Sequence, residues 1–166
     1  PAKANGPPPG PQHLSSFNCI HEECSVILTG SPDAVLALLD GSYAIIDYKT
    51  SKYTNGQDKL MPVYQVQLNA YAYIGERLDL NPVSRLVLAY YEPQTEVDMN
   101  SVGAVLKPGG FWMGFTPHLI DLQLQTEMIE PLIERVRAIF DMPEPPASRE
   151  GCSDCAALEA IMDLLK

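Results

Sequence analysis

The stretch that most constrains the fold is residues 43–49, Tyr-Ala-Ile-Ile-Asp-Tyr-Lys, a β-branched and aromatic run that ends in charged residues. The turn Asp40-Gly41 directly before it favours a tight β-hairpin, so we predict that the apolar run 34–39 forms the partner strand. Because side chains alternate across a strand, Asp47 and Lys49 share one face, beside isoleucines that we expect to be buried. An acid and a base at a buried strand end are costly unless a metal ion or a substrate uses them. The stretch therefore predicts a functional site at a strand end; the alternative is a plain ion pair on an exposed face.

A second acidic residue, Asp33, precedes this hairpin. The run 24–29 is short and contains β-branched residues, and Gly30-Ser31-Pro32 ends it, which predicts a strand that delivers Asp33 to its end. Residues 17–23 are predicted to form a strand that pairs with this run. Taken alone, Asp33 could be an ordinary turn residue, because Pro-Asp is common in turns.

A helix is predicted after the hairpin. Pro62 suits the first turn of a helix over residues 63–78. On that helix Gln67 and Tyr71 are four residues apart and share one face, with Tyr64 one turn earlier. Taken singly, Gln67 and Tyr71 could be ordinary polar positions on a helix.

The remaining segments complete an α/β pattern. We predict three strands, an amphipathic helix and a short final helix, at residues 83–91, 101–106, 111–122, 125–140 and 156–165 respectively. The regular part of the amphipathic helix is expected to begin near Pro131, and residues 50–61 form a loop with a turn at Asn55-Gly56. The predicted organisation is a disordered or extended Pro/Gly-rich tail (residues 1–16), a core (17–142), and a Pro-rich connector with a Cys-x-x-Cys pair and helix (143–166).

Composition places the chain among globular proteins. Its 166 residues are 46% hydrophobic and 19% charged, and they contain neither a run of eighteen apolar residues nor a secretory pattern. We therefore expect a cytoplasmic protein without a membrane partner. The net charge of −10 argues against a general nucleic-acid-coating protein. Residues 49–85, however, hold five basic and three acidic residues, a local net charge of +2 around the predicted site.

The ordered elements Pro32-Asp33, Asp47-x-Lys49 and Gln67-x-x-x-Tyr71 resemble the signature of the PD-(D/E)XK nuclease superfamily, in its RecB-like branch. The pattern is also similar to that of the CRISPR-associated adaptation nucleases. The resemblance implies a restriction-endonuclease-like α/β core, in which a mixed central sheet is flanked by helices. It further implies a Mg²⁺-dependent deoxyribonuclease that acts in DNA repair, recombination or CRISPR- or phage-type DNA processing.

The resemblance also implies roles for single residues. Asp33, Asp47 and the backbone carbonyl of Tyr48 would bind Mg²⁺ or Mn²⁺, and Lys49 would orient a water molecule and stabilise the transition state. The last two residues of the pattern, Gln67 and Tyr71, would support Lys49 or the DNA strand by hydrogen bonding. DNA is the implied substrate, and a helicase or another recombination or CRISPR component is the implied kind of protein partner.

One part of the family pattern is missing. Nucleases of this kind usually begin with a helix that carries a Glu or His ligand to the metal, whereas residues 1–16 have no helical pattern. The nearby candidates for that ligand are His13, Glu22 and Glu23. The alternative function is a catalytically degenerate nuclease fold that binds nucleic acid or protein.

Four cysteines form two close pairs, Cys19 with Cys24 and Cys152 with Cys155. Several RecB-like nucleases use one upstream cysteine and three C-terminal ones to hold an iron–sulfur cluster. This chain has only two at its end, so the likeness is incomplete. If the two pairs converge, four thiolates would suit Zn²⁺ or an iron–sulfur cluster, and the alternative is four unconnected thiols.

Overall fold

A computed structural model of the chain describes residues 17–54, 59–96 and 106–164, with only the backbone at Lys107. Its strands are β1 (Asn18–His21), β2 (Val26–Thr29), β3 (Ala34–Ala37), β4 (Tyr43–Lys49), β5 (Val83–Pro93), β6 (Leu106–Lys107), β7 (Gly110–Phe111) and β8 (Phe115–Leu122). Its α-helices are α1 (Met61–Arg77), α2 (Ile129–Phe140) and α3 (Ser153–Leu164), and a short 3₁₀ turn, Thr126–Met128, precedes α2.

The central element is a four-stranded sheet in the order β3-β4-β5-β8. Strands β4 and β5 are parallel, and the two outer pairs, β3 with β4 and β5 with β8, are antiparallel. A parallel neighbour needs a crossover connection, and α1 supplies it between β4 and β5. The mixed sheet with α1 packed on one face confirms the predicted α/β class.

Helix α1 lies on the sheet because both surfaces are apolar. The core between them consists of fully or almost fully buried side chains: Ile45, Leu68, Ala72, Val83, Leu86, Leu88 and Tyr90. A second core joins the β1–β2 hairpin and α2 to the other side of α1, and its buried members are Phe17, Cys19, Tyr73, Ile74, Ile129 and Ile133. Full burial of one large apolar side chain contributes about 1.5–3 kcal/mol, so these two clusters fix α1 in place.

A buried amide ties α1 to the segment between β8 and α2. Asn69 is fully buried. Its Nδ2 donates to the carbonyl of Gln123 at 2.9 Å, and its Oδ1 accepts the backbone N–H of Gln125 at 2.6 Å. The same Nδ2 also donates to the carbonyl of Gln65, one turn earlier on α1, at 2.8 Å. A buried polar group with all its partners holds neighbouring segments in one arrangement.

The β3–β4 hairpin has the predicted turn. Asp40 Oδ1 accepts hydrogen bonds from both the backbone N–H and the hydroxyl of Ser42, at 3.0 and 2.7 Å. Gly41 has a φ of +87°, a left-handed conformation that glycine adopts without steric cost. This local chemistry sets the register in which Ala34 lies opposite Ile46.

Several predicted boundaries were wrong. Strand β8 begins at Phe115 rather than at residue 111, because Phe111 pairs with Leu106 in the short β6–β7 ladder. Helix α2 begins at Ile129 rather than at residue 125, which agrees with a regular part that begins near Pro131, since a proline in the first turn costs no intrahelical hydrogen bond. Helix α3 begins at Ser153, three residues earlier than predicted.

Some expectations fall on parts of the chain outside the described residues. They concern the tail at 1–16, the turn at Asn55-Gly56, most of the strand at 101–106 and the last residue of the final helix. In the parts that are described, no helix is both long and apolar enough to cross a lipid bilayer.

Candidate functional site

The β3–β4 hairpin brings two carboxylates to the same end of the sheet. Asp33 precedes the first residue of β3, and the register of the hairpin places it across from Asp47. Asp33 Oδ2 accepts the backbone N–H of Tyr48 at 2.7 Å. This bond fixes the exposed carboxylate of Asp33 beside β4, next to the residue that follows Asp47.

Asp47 is buried and charged, and Lys49 is its partner. Only 4% of Asp47 is exposed, and Lys49 Nζ forms an ion pair with Asp47 Oδ2. The side chain of Lys49 retains 22% exposure while its ammonium contacts the acid. Within the described residues, Asp47 Oδ2 has no hydrogen-bond partner besides this ionic contact. The alternation expected from the sequence is therefore confirmed, and both charges lie on the face of the sheet that α1 covers.

Helix α1 contributes the other polar groups of the site. Gln67 Nε2 donates to Asp47 Oδ1 at 3.2 Å and to the hydroxyl oxygen of Tyr71 at 2.7 Å. One turn before Gln67, the ring of Tyr64 lies under the ammonium of Lys49, with 4.6 Å from Nζ to the ring centroid. Residues three and four apart on a helix share a face, so α1 presents these three side chains to the end of β4.

The position of Tyr71 is fixed by two contacts with residues that flank the β1–β2 hairpin. Its ring packs edge-to-face against Phe17, with centroids 6.3 Å apart. The ring also lies against Gly30, where an added Cβ would come within 2.7 Å of ring atoms Cδ1 and Cε1. The backbone N–H of Gly30 also bonds the carbonyl of Phe17 at 3.0 Å. The hairpin β1–β2 thus fixes the position of the ring whose hydroxyl contacts Gln67.

The geometry agrees with a comparison against protein families. A model of the PD-(D/E)XK nuclease superfamily matches residues 10–160, which is most of the chain. The chain belongs to the PD-(D/E)XK nuclease superfamily. No curated protein matches it. A solved structure titled "Crystal structure of SSO0001" is 15% identical over 70% of this chain, with a TM-score of 0.38, and the chain spans 43% of that protein's length.

The residues at the strand end fit a divalent metal ion of the kind that PD-(D/E)XK nucleases generally use. Asp47 Oδ2 is a buried anionic oxygen with no hydrogen bond from the described residues, and Asp33 is an exposed carboxylate beside it along the hairpin. Two carboxylates and a backbone carbonyl at Tyr48 are the hard oxygen donors that Mg²⁺ and Mn²⁺ prefer.

Within the described parts of the chain, no third side-chain ligand joins these two carboxylates. Among the described residues, no group of three or more His, Cys, Asp and Glu side chains lies close enough to bind one metal ion. Glu22 and Glu23 are exposed in the turn that joins β1 to β2. His13, the other candidate, lies outside the described residues.

The structure does not bring the four cysteines into one metal-binding group. Cys19 lies in the core beside α1, where burial raises the pKa of its thiol. Cys152 and Cys155 lie at the start of α3, where the backbone N–H of Cys155 donates to the sulfur of Cys152 at 3.3 Å. Hydrogen bonding from the thiol and backbone N–H of Cys155 lowers the pKa of Cys152.

Sequence reasoning missed a cluster beside the site. Lys49, Tyr90 and His118 lie in one row across β4, β5 and β8. His118 Nε2 lies 3.1 Å from Glu92 Oε2, and the ring of Tyr53 stacks on the imidazole with centroids 4.3 Å apart. Side chains alternate between the two faces of β8, so His118 shares a face with the half-buried Ile120. This pattern was the sequence signal that could have indicated the cluster. It became informative only once β8 was known to pair with β5.

A pocket of about 560 Å³ lies beyond the ends of β5 and β8. It is lined by Lys52, Glu92, Pro93, Gln94, Thr95, Glu96 and Thr116. Ligands of sheets with parallel strands commonly bind outside the carboxyl ends of those strands. The pocket lies at that end, on the same side as the carboxylates.

Proposed function

We propose that this chain is a metal-dependent deoxyribonuclease of the RecB-like branch, which hydrolyses phosphodiester bonds in DNA. The observation that carries the proposal is the joint placement of Asp33, Asp47 and Lys49 at one strand end, with Gln67 bonded to Asp47. A fold needs no such set for its stability, since an apolar residue of similar volume often replaces a buried ion pair without loss. The presence of both charges in a chain that belongs to a nuclease superfamily supports a catalytic role.

Asp33, Asp47 and the backbone carbonyl of Tyr48 would hold Mg²⁺ or Mn²⁺. When bound, the ion supplies a water of lowered pKa and neutralises negative charge on the phosphate oxygens. Gln67 holds Asp47 Oδ1 in a fixed direction, so that Oδ2 is left for Lys49 or the ion. The backbone N–H of Tyr48 orients Asp33 in the same way.

Lys49 would act on the reacting phosphate through its charge. The ammonium of this partly exposed side chain can donate to a phosphate oxygen or to the attacking water while it remains next to Asp47. A preorganised positive group of this kind stabilises negative charge that develops in the transition state. Tyr71 does not reach the phosphate in this scheme; it orients Gln67 through its hydroxyl.

The DNA strand would run from Lys49 towards the pocket beyond β5. Lys52 lines that pocket beside Glu92 and Glu96, and Lys49 lies at the site itself, so two lysines supply positive charge along this path. Phosphate contacts act at short range in salt, so a local basic rim is sufficient. We extend the proposal to a cytoplasmic role in DNA repair, recombination or CRISPR- or phage-type processing, with a helicase or similar protein as partner.

The test is cleavage of single- and double-stranded DNA, linear and circular, with Mg²⁺, Mn²⁺ or excess chelator. We expect metal-dependent cutting by the wild type and at least a hundredfold loss in Asp47→Asn and Lys49→Ala, an effect of the size that mutagenesis finds for catalytic groups. Asp121→Asn is the control, because Asp121 is exposed and pairs with Arg85 away from the site. Equal cutting by the wild type and Asp47→Asn would refute the proposal.

A second function has its own support. The ion pair between Lys49 and Asp47 and the charge of −10 are compatible with a nuclease fold that has lost catalysis and binds nucleic acid or protein. Calorimetric titration with Mn²⁺ separates the two functions. A heat of binding that Asp47→Asn removes supports the nuclease, whereas DNA binding with neither metal binding nor cutting supports the binding module.

A further inference from the structure

Lys49 has a second partner besides Asp47. Its ammonium lies 4.6 Å from the centroid of the Tyr64 ring, within the range of a cation–π contact. Tyr64 is half-buried at the edge of the core below α1, so its ring is held by packing. Tyr64 lies three residues before Gln67 and is not part of the Asp33, Asp47-x-Lys49 and Gln67-x-x-x-Tyr71 pattern.

We propose that Tyr64 is a positioning residue that holds the ammonium of Lys49 at the site through the face of its ring. The inference rests on the proposed nuclease function, because it assigns Lys49 a role in catalysis. A lysine side chain has many rotamers, and an ammonium that can leave the site is a poor preorganised charge. The ring restricts Lys49 to the neighbourhood of Asp47.

A ring suits this purpose better than a second carboxylate. An ammonium has three N–H donors, and Asp47 Oδ2 takes part of that capacity. An aromatic face attracts the charge without accepting a directed hydrogen bond, so donors remain for water or a phosphate oxygen. When Asp47 Oδ2 binds a metal ion instead of Lys49, Tyr64 still holds the ammonium.

Helix α1 therefore contacts the Asp47-x-Lys49 pair with two different side chains. Gln67 bonds Asp47, and Tyr64, one turn earlier, contacts Lys49 two residues further along β4. Three residues on the helix rise about 4.5 Å, and two residues on the strand rise about 6.6 Å. The side chains are long enough to span this difference of about 2 Å. Both charged side chains of β4 are thus oriented from the same helix.

The activity test compares Tyr64→Phe with Tyr64→Leu in the DNA cleavage assay with Mg²⁺. Phe keeps the ring face and should retain nearly full kcat, whereas Leu should lower kcat by about 3- to 30-fold with KM almost unchanged, the range of a cation–π contact. Phe140→Leu, an aromatic-to-leucine change on the exposed end of α2, is the control and should cut normally. Thermal melting of each variant shows whether the fold is retained.

A spectroscopic test does not depend on activity. A ring below the ammonium shifts the NMR signals of the adjacent Lys49 methylene upfield, and Lys49→Arg identifies these signals by removing them. We expect the shift in the wild type and in Tyr64→Phe, and its loss in Tyr64→Leu. An unshifted wild-type signal, or full kcat in Tyr64→Leu, would overturn the inference. An inactive wild type with a shifted Lys49 signal would overturn the proposed function instead.

Discussion

The ring of Tyr71 packs against the backbone of Gly30 so closely that a Cβ atom at Gly30 would lie 2.7 Å from two ring carbons. Tyr71 in turn bonds Gln67, which bonds Asp47. The glycine that ends β2 is therefore connected through two side chains to the buried carboxylate of the site.

We predict that Gly30→Ala displaces Tyr71 and weakens the site. A contact under 3.0 Å must be relieved, and the ring is also packed against Phe17. Overpacking of this kind costs about 1–3 kcal/mol in the free energy of unfolding, and we expect DNA cleavage to fall as well. Chemical denaturation and the cleavage assay measure the two effects. Gly110→Ala, where an added Cβ meets no atom within 4 Å, is the matched control and should change neither.

Gln67 is predicted to act through the orientation of Asp47. Gln67→Leu removes the donor to Asp47 Oδ1, and a hydrogen bond to a charged group is worth about 1.5–3 kcal/mol. We expect weaker Mn²⁺ binding by calorimetry and a lower kcat. Tyr71→Phe keeps the ring but loses the hydroxyl that contacts Gln67, so its effect should be smaller. Mn²⁺ affinity and kcat equal to wild type in Gln67→Leu would contradict this role.

The end of β4 could be predicted because its determinants are local. The turn Asp40-Gly41 and the two-residue period of a strand place Asp47 and Lys49 on one face without knowledge of the rest of the fold. The pairing of Gln67 with Tyr71 also follows from helical spacing alone. The contact of Gln67 with Asp47 was not predictable in this way, since it depends on how α1 is rotated over the sheet.

The cluster beside the site could not be predicted because it depends on the register of strands that are far apart in sequence. His118 and Tyr90 share a row with Lys49 only because β8 pairs with β5 in one register out of several. The ladder of β6 with β7 was missed for a local reason: two residues on each side of a two-residue turn have no periodicity that could indicate a strand. Only the pairing of β8 with β5 is selected by contacts between segments far apart in sequence.

Asn69 is predicted to be a major determinant of stability. Asn69→Leu removes three hydrogen bonds: those from Nδ2 to the carbonyls of Gln65 and Gln123, and that from the backbone N–H of Gln125 to Oδ1. Gln65 Nε2 still donates to the Gln123 carbonyl, and each lost bond is worth about 0.5–1.5 kcal/mol. We expect a loss of at least about 2 kcal/mol in the free energy of unfolding, measured by urea denaturation. The control is Gln125→Leu, at an exposed residue whose backbone N–H keeps its bond to Asn69, and it should cost less. Equal losses in the two variants would contradict the role given to the Asn69 bonds.

The four cysteines are predicted to differ in reactivity, with Cys152 the most reactive towards iodoacetamide. The thiolate is the reactive form, so a thiol of lowered pKa reacts at lower pH and a thiol of raised pKa only at higher pH. Hydrogen bonds from Cys155 lower the pKa of Cys152, whereas burial raises the pKa of Cys19. Modification followed by mass spectrometry between about pH 6 and pH 9, around the ordinary thiol range, should therefore label Cys152 first and Cys19 last.

In Cys155→Ala the thiol donor is lost, the pKa of Cys152 should rise, and its labelling should move to higher pH. Labelling of Cys19 and Cys152 at the same rate across this range would show that neither environment acts as the structure indicates.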